Sequence, residues 1–223
     1  MSIKISIINE STVLKDSDID AVIPSLQQQI TRDFGPIWGV YADLFFKSQE
    51  FKSWQLVVLD DSDQAGALGY HEVTYDCLPL GKVFAGTDLK YGNSWTTTMS
   101  HEILEMLADP EINLCATVDN LIYAYEVCDP CESDALGYEI DGVLLSDFVY
   151  PAWFCPSFSG PYDFKGHISS PLELAKGGYI SIMDSYGSWK QITEEKGLAR
   201  REPVGSRRER RRIPISERLR STK

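Results

Sequence analysis

Three side chains near the middle of the chain have the types and the spacing needed for metal-assisted chemistry. His101 and Glu105 are four residues apart, so on a helix they project from one face about one turn apart. Glu102 directly follows the histidine, where a carboxylate can take a proton from a metal-bound water. The apolar residues between them would pack the other side of the helix against a core. The segment predicts a metal site in which His101 and Glu105 are ligands and Glu102 is the general base.

The pattern is the H-E-x-x-H of zinc peptidases with a carboxylate in place of the second histidine. A catalytic zinc site takes three protein ligands and keeps one position for water, so a third ligand must come from elsewhere. In zincins that use a downstream glutamate, an aspartate just after that glutamate supports the site, and Glu126 and Asp129 fit this arrangement. Asp109 is a rival, because it lies eight residues after His101 and near the same face. We therefore expect one zinc ion per chain, with Glu126 as its third ligand.

Other interpretations of the same residues stay open. The helix can be an ordinary amphipathic helix whose polar face is solvated. The carboxylates can also hold a hard cation such as Ca²⁺, although the chain lacks the spacing of an EF-hand. Of the other histidines, His71 lies in a strand-like stretch and could face a cleft from an edge strand, whereas His167 follows a glycine in a loop.

The five cysteines favour a reducing compartment over a disulfide framework, because their number is odd and no secretion signal is present. Cys128 and Cys131 form a single C-x-x-C, with no second pair to complete a zinc ribbon. The pair follows a strand-like segment and runs into an acidic loop, so we do not expect a thioredoxin-type site. We interpret these thiols as buried or incidental.

The charge of the chain is divided between an acidic body and a basic tail. Residues 196–223 carry 11 Lys/Arg and three Glu, a net charge of +8, and the other 195 residues carry 10 Lys/Arg and 30 Asp/Glu, a net charge of −20. An acidic body repels nucleic acid, whereas the tail can attract phosphate or an acidic surface. We predict a domain over 1–195 and a tail over 196–223 that is either a solvated extension or a segment that binds an acidic partner.

The order of predicted elements indicates an α+β fold. It is a strand, a helix, several strands and then the helix that carries the histidine, and it matches the N-terminal half of the zincin fold, in which a twisted mixed sheet packs on the metal-site helix. Helices are predicted over 18–34 and from about 94 to 108, the second ending before Pro110. Strands are predicted over 3–8, 38–46, 54–59, 67–74, 82–87, 121–127 and 178–183, with a hairpin over 138–149 that turns at Asp141-Gly142.

Three stretches of the chain resemble a group of proteins common in tailed phages and prophages. They are residues 95–110, with the motif Ser-His-Glu-x-x-Glu…Asp-Pro, residues 125–129 and residues 143–154. The motif also resembles that of a zincin-like family of candidate metallopeptidases and of the exordium-like plant proteins. The similarity covers roughly residues 65–185 and is most specific in the helix. It implies a zincin-like fold, with a metal at His101 and Glu105 and with Glu102 as the base.

These observations lead to two functional hypotheses. The first is zinc-dependent hydrolysis of a peptide or protein substrate. The acidic body would favour neutral or basic substrates over acidic ones. The second is a virion-associated structural or assembly protein that keeps the zincin-like fold for its shape. In that case the basic tail docks on an acidic partner, on nucleic acid or on another copy of the chain.

The sequence also bears on location. No run of about 18 apolar residues occurs, so we expect neither a membrane span nor a membrane partner. Residues 1–10 alternate like a strand and lack the apolar region and cleavage site of a signal peptide, so we interpret them as part of the fold. Host cytoplasm or a virion is the location that these features and the resemblance favour.

Deleting residues 196–223 should leave folding and metal binding intact but abolish association with an acidic partner or with another copy. The physical reason is that the tail has too few apolar residues to build a core, and its attraction to a body of charge −20 is electrostatic and screened by salt. Sedimentation of the full and truncated chains at low and high salt measures this. An unfolded truncated chain, or equal association at low salt, would contradict the prediction.

Overall fold

A computed structural model describes residues 2–47, 53–63, 67–183 and 187–193. The chain has an α+β fold with helices and several sheets, as the order of predicted elements indicates. The basic tail over 196–223 and the boundary predicted before it lie outside the described residues. Among the described residues, no helix combines the length and apolar character needed to span a bilayer.

The main sheet is mixed and has five strands in the order β2-β1-β3-β5-β4. Strands β1, β2, β3 and β5 run parallel, and the edge strand β4 pairs with β5 in the antiparallel sense. Side chains alternate between buried and less buried along β3 and most of β5, which places one face of these strands on the core, whereas β1, which lies between β2 and β3, is buried at three consecutive positions. The bounds are Ile3–Asn9 for β1, Ala42–Phe46 for β2, Trp54–Leu59 for β3, Gly69–Val73 for β4 and Pro79–Phe84 for β5.

Four helices connect and cover this sheet. They are α1 (Asp16–Gln28), α2 (Gly35–Trp38), α3 (Ala85–Tyr91) and α4 (Trp95–Ala108). A π-helical segment over Gln29–Phe34 connects α1 to α2. The helix predicted to end at residue 34 therefore continues to Trp38. Gly39, with φ of 71°, ends α2 in the left-handed conformation. The strand predicted over 38–46 therefore begins only at Ala42.

A second, antiparallel sheet and a hairpin form the rest of the fold. The hairpin turns at Asp141 and Gly142, whose φ values of 51° and 80° are those of a tight two-residue turn, as predicted. Two strands, β6 at Cys115–Val118 and β11 at Trp189–Thr193, were not predicted from the sequence. Strand β11 lies in a stretch where no further strand was expected. The second sheet has the order β11-β10-β7-β6, with β6 at Cys115–Val118, β7 at Leu121–Ala124, β10 at Tyr179–Met183 and β11 at Trp189–Thr193, and the hairpin pairs β8 (Tyr138–Ile140) with β9 (Val143–Leu145).

Helix α4 lies at the centre of the molecule. It packs against β5 and β4 on one side and against β9 on another. The twelve residues over 96–107 are all buried, the polar ones included. The alternative of an amphipathic helix with a solvated polar face is therefore wrong. A helix buried all round that carries a histidine and two glutamates needs partners for these polar groups, because burying them without partners is costly.

A pair of buried carboxyl groups joins the segment after β9 to the loop at residue 163. Asp147 and Asp163 are 0% and 1% exposed. Burial raises the pKa of Asp147 to about 8, and the hydrogen bond with Asp163 and the charge of that group act in the same direction. Backbone N–H groups of Phe148 and Lys165 donate to Asp147 Oδ1 and only partly offset this. The carboxyl group of Asp147 is therefore mainly protonated at neutral pH.

The raised pKa of Asp147 should make the free energy of unfolding depend on pH. The folded chain keeps the proton on Asp147 up to pH about 8, whereas the unfolded chain loses it near pH 4, as ordinary carboxyl groups do. Stability from this group is thus complete below pH about 4 and is lost as pH rises to about 8, at up to about 1.4 kcal/mol per pH unit. Asp147→Asn should flatten this slope in urea unfolding at several pH values.

The matched control is Asp141→Asn, which removes one carboxylate from the exposed hairpin turn at a position where asparagine also tolerates positive φ. Its pH slope should equal that of the original chain. An Asp147→Asn slope that is no flatter than the control would show that Asp147 does not hold the proton.

Candidate metal centre

Two glycines let α4 approach the β4–β5 edge of the sheet closely. A Cβ atom on Gly69 would lie 2.7 Å from Thr98 Cγ2 and 2.9 Å from Glu102 Oε1. A Cβ atom on Gly81 would lie 2.5 Å from Leu56 Cδ1 and 2.8 Å from Met106 Sδ. All four distances are too short for any other residue without movement of its neighbours. Because glycine has no side chain at these two positions, the polar face of α4 can pack directly on the sheet.

His71 lies on β4 between these glycines. It pairs with Gly81 across the antiparallel strands, and it shares a face with Gly69 because side chains alternate along a strand. Its side chain is 0% exposed, and neither ring nitrogen has a hydrogen-bond partner among the residues that the structure describes. Nδ1 lies 3.5 Å from Glu102 Oε2 and 3.8 Å from Glu105 Oε2. The imidazole is thus aimed at the two glutamates of α4 without a hydrogen bond to either.

His101 contacts two carboxylates through one nitrogen. Its Nε2 lies 3.2 Å from Glu105 Oε1 and 3.3 Å from Asp129 Oδ1. Burial disfavours the charge on His101, but Glu105 and the hydrogen bond with Asp129 outweigh it and hold the pKa of the imidazole well above its ordinary value. His101 Nε2 and Glu105 Oε1 have the spacing of two ligands of one zinc ion, since zinc bonds of about 2.0–2.2 Å place ligand atoms about 3.0–3.5 Å apart.

Glu105 belongs to two groups of atoms that could each hold a metal ion. The ligand atoms of His101, Glu105 and Cys128 all lie within 4.8 Å of one another. The same is true of His71, Glu105 and Glu126. The set predicted from the sequence, His101, Glu105 and Glu126, takes members from both groups and has Glu105 in common with each.

The segment after β7 supplies the partners of α4. The backbone N–H of Cys128 donates to Glu105 Oε1 at 3.3 Å, which fixes this segment against the helix. Glu126 and Asp129 are 2% and 1% exposed. Asp109, the rival ligand, belongs to neither group, and it accepts N–H bonds from Asn113 and Leu114 in the turn after α4. The geometry thus favours residues 126–129 over Asp109 as the source of ligands.

A buried polar network fixes the orientation of α4 next to His101. Ser100 donates to Gln29 Oε1 at 2.7 Å and accepts the backbone N–H of Ser146 at 3.0 Å. Gln29 in turn donates to the carbonyl of Ser146 and to Tyr138. Because every member has a partner inside the core, rotation of α4 about its axis would break several buried bonds at once.

A further acidic group lies at the N-terminal end of the cluster. Asp88 on α3 is 0% exposed, and its Oδ1 accepts a hydrogen bond from Thr98 at 3.0 Å. The pKa of Asp88 is raised to about 7, mainly by burial; the hydrogen bond from Thr98 opposes this rise, and the charges of Asp134 and Glu102 add to it. The surroundings of Glu102 are therefore acidic as well as buried.

Sequence reasoning missed two residues of the centre. Cys128 was interpreted as a buried or incidental thiol; it is buried, but it also belongs to a ligand group, whereas Cys131, which is equally buried, belongs to neither group among the described residues. His71 was only a lesser alternative. The two strand glycines on either side of it were the available indication, because glycine in a strand often marks the close approach of another element.

The donor sets fit divalent metals. Imidazole, carboxylate and thiolate together are typical zinc ligands, and imidazole with two carboxylates suits zinc, manganese or iron. The orphaned ring of His71 provides an observation in favour of a bound ion that does not depend on the α4 motif. Comparisons of the chain with protein-family models, curated proteins and solved structures find no significant match.

Gly69→Ala should lower the free energy of unfolding by about 1–3 kcal/mol, because the new methyl group overpacks the contact between β4 and α4. Thr98→Ser removes the methyl that lies nearest and keeps the hydroxyl that binds Asp88. In a double-mutant cycle measured by urea unfolding, Thr98→Ser should therefore recover part of the loss. Strict additivity of the two changes would contradict the close approach of strand and helix.

Proposed function

We propose that the chain is a metal-dependent hydrolase of zincin-like fold that cleaves peptide bonds. The observation that carries the proposal is the position of Glu105, buried between two imidazoles and bound to the backbone of residue 128. The mixed sheet packed on α4 supports the zincin-like part, since that fold places its metal-site helix on such a sheet. The metal would be held at Glu105 by His101 and by the segment over 126–129.

Each buried residue has a role that follows from its chemistry. A bound zinc ion would acidify a water and polarise the substrate carbonyl. Glu102, whose Oε2 lies 3.5 Å from His71 Nδ1, is placed to accept a proton from the attacking water. It would return that proton to the leaving amine, so that one water is consumed for each bond cleaved. Asp129 Oδ1 lies 3.3 Å from the same Nε2 that would bind the metal, so Asp129 would be a further carboxylate beside the ion.

The burial of the centre favours a second candidate. His101, Glu102 and Glu105 are 6%, 2% and 0% exposed within the described part of the chain. Structural metal sites are closed in this way, whereas catalytic sites keep a position open to water. On this basis the alternative is an assembly protein in which the metal fixes α4 to β4 and to residues 126–129, and in which the basic tail binds an acidic partner.

Glu102→Gln should separate the two candidates. The amide cannot accept the water proton, so hydrolysis of a mixed pool of quenched fluorescent peptides should fall by about 10²–10⁴-fold. Metal content, measured by elemental analysis of tag-free protein, should stay near that of the original chain. His101→Ala should lose the metal. Glu139→Gln, an exposed change of the same chemistry on β8, is the matched control and should alter neither quantity.

Three outcomes would contradict the assignment. Loss of metal from Glu102→Gln as complete as from His101→Ala would make Glu102 a ligand. Metal-bound protein that cleaves no peptide, and whose melting temperature falls on chelation, would support the structural candidate. Absence of metal after titration with zinc would overturn both.

A further inference from the structure

The two oxygens of the Glu105 carboxylate face different histidines. Oε1 lies 3.2 Å from His101 Nε2, and Oε2 lies 3.8 Å from His71 Nδ1. The oxygen on the His101 side also accepts the N–H of Cys128. One carboxylate therefore separates an imidazole of α4 from an imidazole of β4, with one oxygen for each.

Each of the two histidines belongs to a different group of possible metal donors, and both groups include Glu105. On one side Glu105 meets His101 and the thiol of Cys128, and on the other it meets His71 and the carboxylate of Glu126. His71 is fully buried, and both of its ring nitrogens lack hydrogen bonds within the described part of the chain. A buried imidazole that makes no hydrogen bond carries a cost, which a bound cation would remove.

The charge of the cluster points in the same direction. Glu102, Glu105, Glu126 and Asp129 are each at most 2% exposed. If all four are ionised, two protonated histidines would still leave these six side chains with a net charge of −2. Several buried carboxylates in one cluster disfavour one another's charge unless protons or cations balance them. Two divalent ions bound to neutral histidines would balance the four carboxylates, and the thiolate of Cys128 would bring the net charge of the loaded cluster to −1.

We infer that the chain binds two divalent metal ions bridged by Glu105, one held by His101 and Cys128 and the other by His71 and Glu126. The inference rests on the proposed metal-dependent function and extends it from one ion to two. Paired ions in hydrolases lie about 3.5–4 Å apart, a separation that a bridging carboxylate spans. Glu102, next to His71, would then serve a water on the His71 side of the pair.

Cobalt titration of the full chain tests the inference without relying on activity. The metal-free protein should take up about two Co²⁺ per chain, as two-metal sites do, and thiolate-to-cobalt absorption should show that Cys128 binds one of them. His71→Ala should take up about one Co²⁺ and keep the thiolate band. Cys128→Ala should lose the band, and Cys131→Ala, a buried cysteine outside both groups, should keep it.

Glu126 would hold the same ion as His71, but from another part of the chain. Glu126→Gln should therefore take up as much Co²⁺ as His71→Ala. His167→Ala, which removes the exposed histidine outside the cluster, is the control and should still bind two ions. Glu105→Gln should weaken both sites together, because both share this carboxylate. Circular dichroism of each variant before loading establishes that a lost ion does not reflect lost folding.

The outcomes distinguish this inference from the proposed function. One ion in the original chain, with His71→Ala and Glu126→Gln both unchanged, would overturn the two-ion site and leave a single-ion hydrolase standing. Uptake of no ion would overturn the proposed function as well. Two ions in the original chain, and one in either variant that retains the original circular dichroism, would establish the bridged pair.

Discussion

The close approach of α4 to the β4–β5 edge is the constraint on which the rest of the structure depends. Glycine at positions 69 and 81 leaves no side chain between strand and helix, so that His71 Nδ1 comes within 4 Å of both glutamates of α4. On the far side of α4, the bonds of Ser100 to Gln29 and Ser146 prevent the helix from rotating. The centre is thus held between a packed sheet and a polar network.

The buried carboxylates of this centre lower the stability of the fold, and they are also the groups on which the proposed chemistry depends. Removing carboxylates from water costs several kcal/mol for each ion unless they are compensated. A proton on His101 between Glu105 and Asp129 supplies part of that compensation in the metal-free chain, as the raised pKa of the imidazole indicates. The same atoms would be the donors for the proposed cation. The proton and the metal would therefore compete for one place in the core.

Local chemistry could be predicted from the sequence, whereas partners that depend on tertiary contacts could not. The i, i+4 relation of His101 and Glu105 is a property of any helix, and the strands with strong alternation were found near their observed bounds. The pairing of His71 depends on the register that sets it opposite Gly81, which no local pattern specifies. Strand β11 was missed because its polar residues alternate with few apolar ones, and the second sheet is what makes it a strand.

The donors of the centre come from three separate parts of the chain: an edge strand, a helix and the segment that follows β7. The donors from these three parts meet only after the main sheet and the second sheet have packed together. During synthesis, the chain must therefore extend past residue 129 before a cation can find its full set of donors. A cation that binds only the completed fold draws the equilibrium toward that fold. The supply of metal in the cell would then determine how much of the newly made chain reaches its final form.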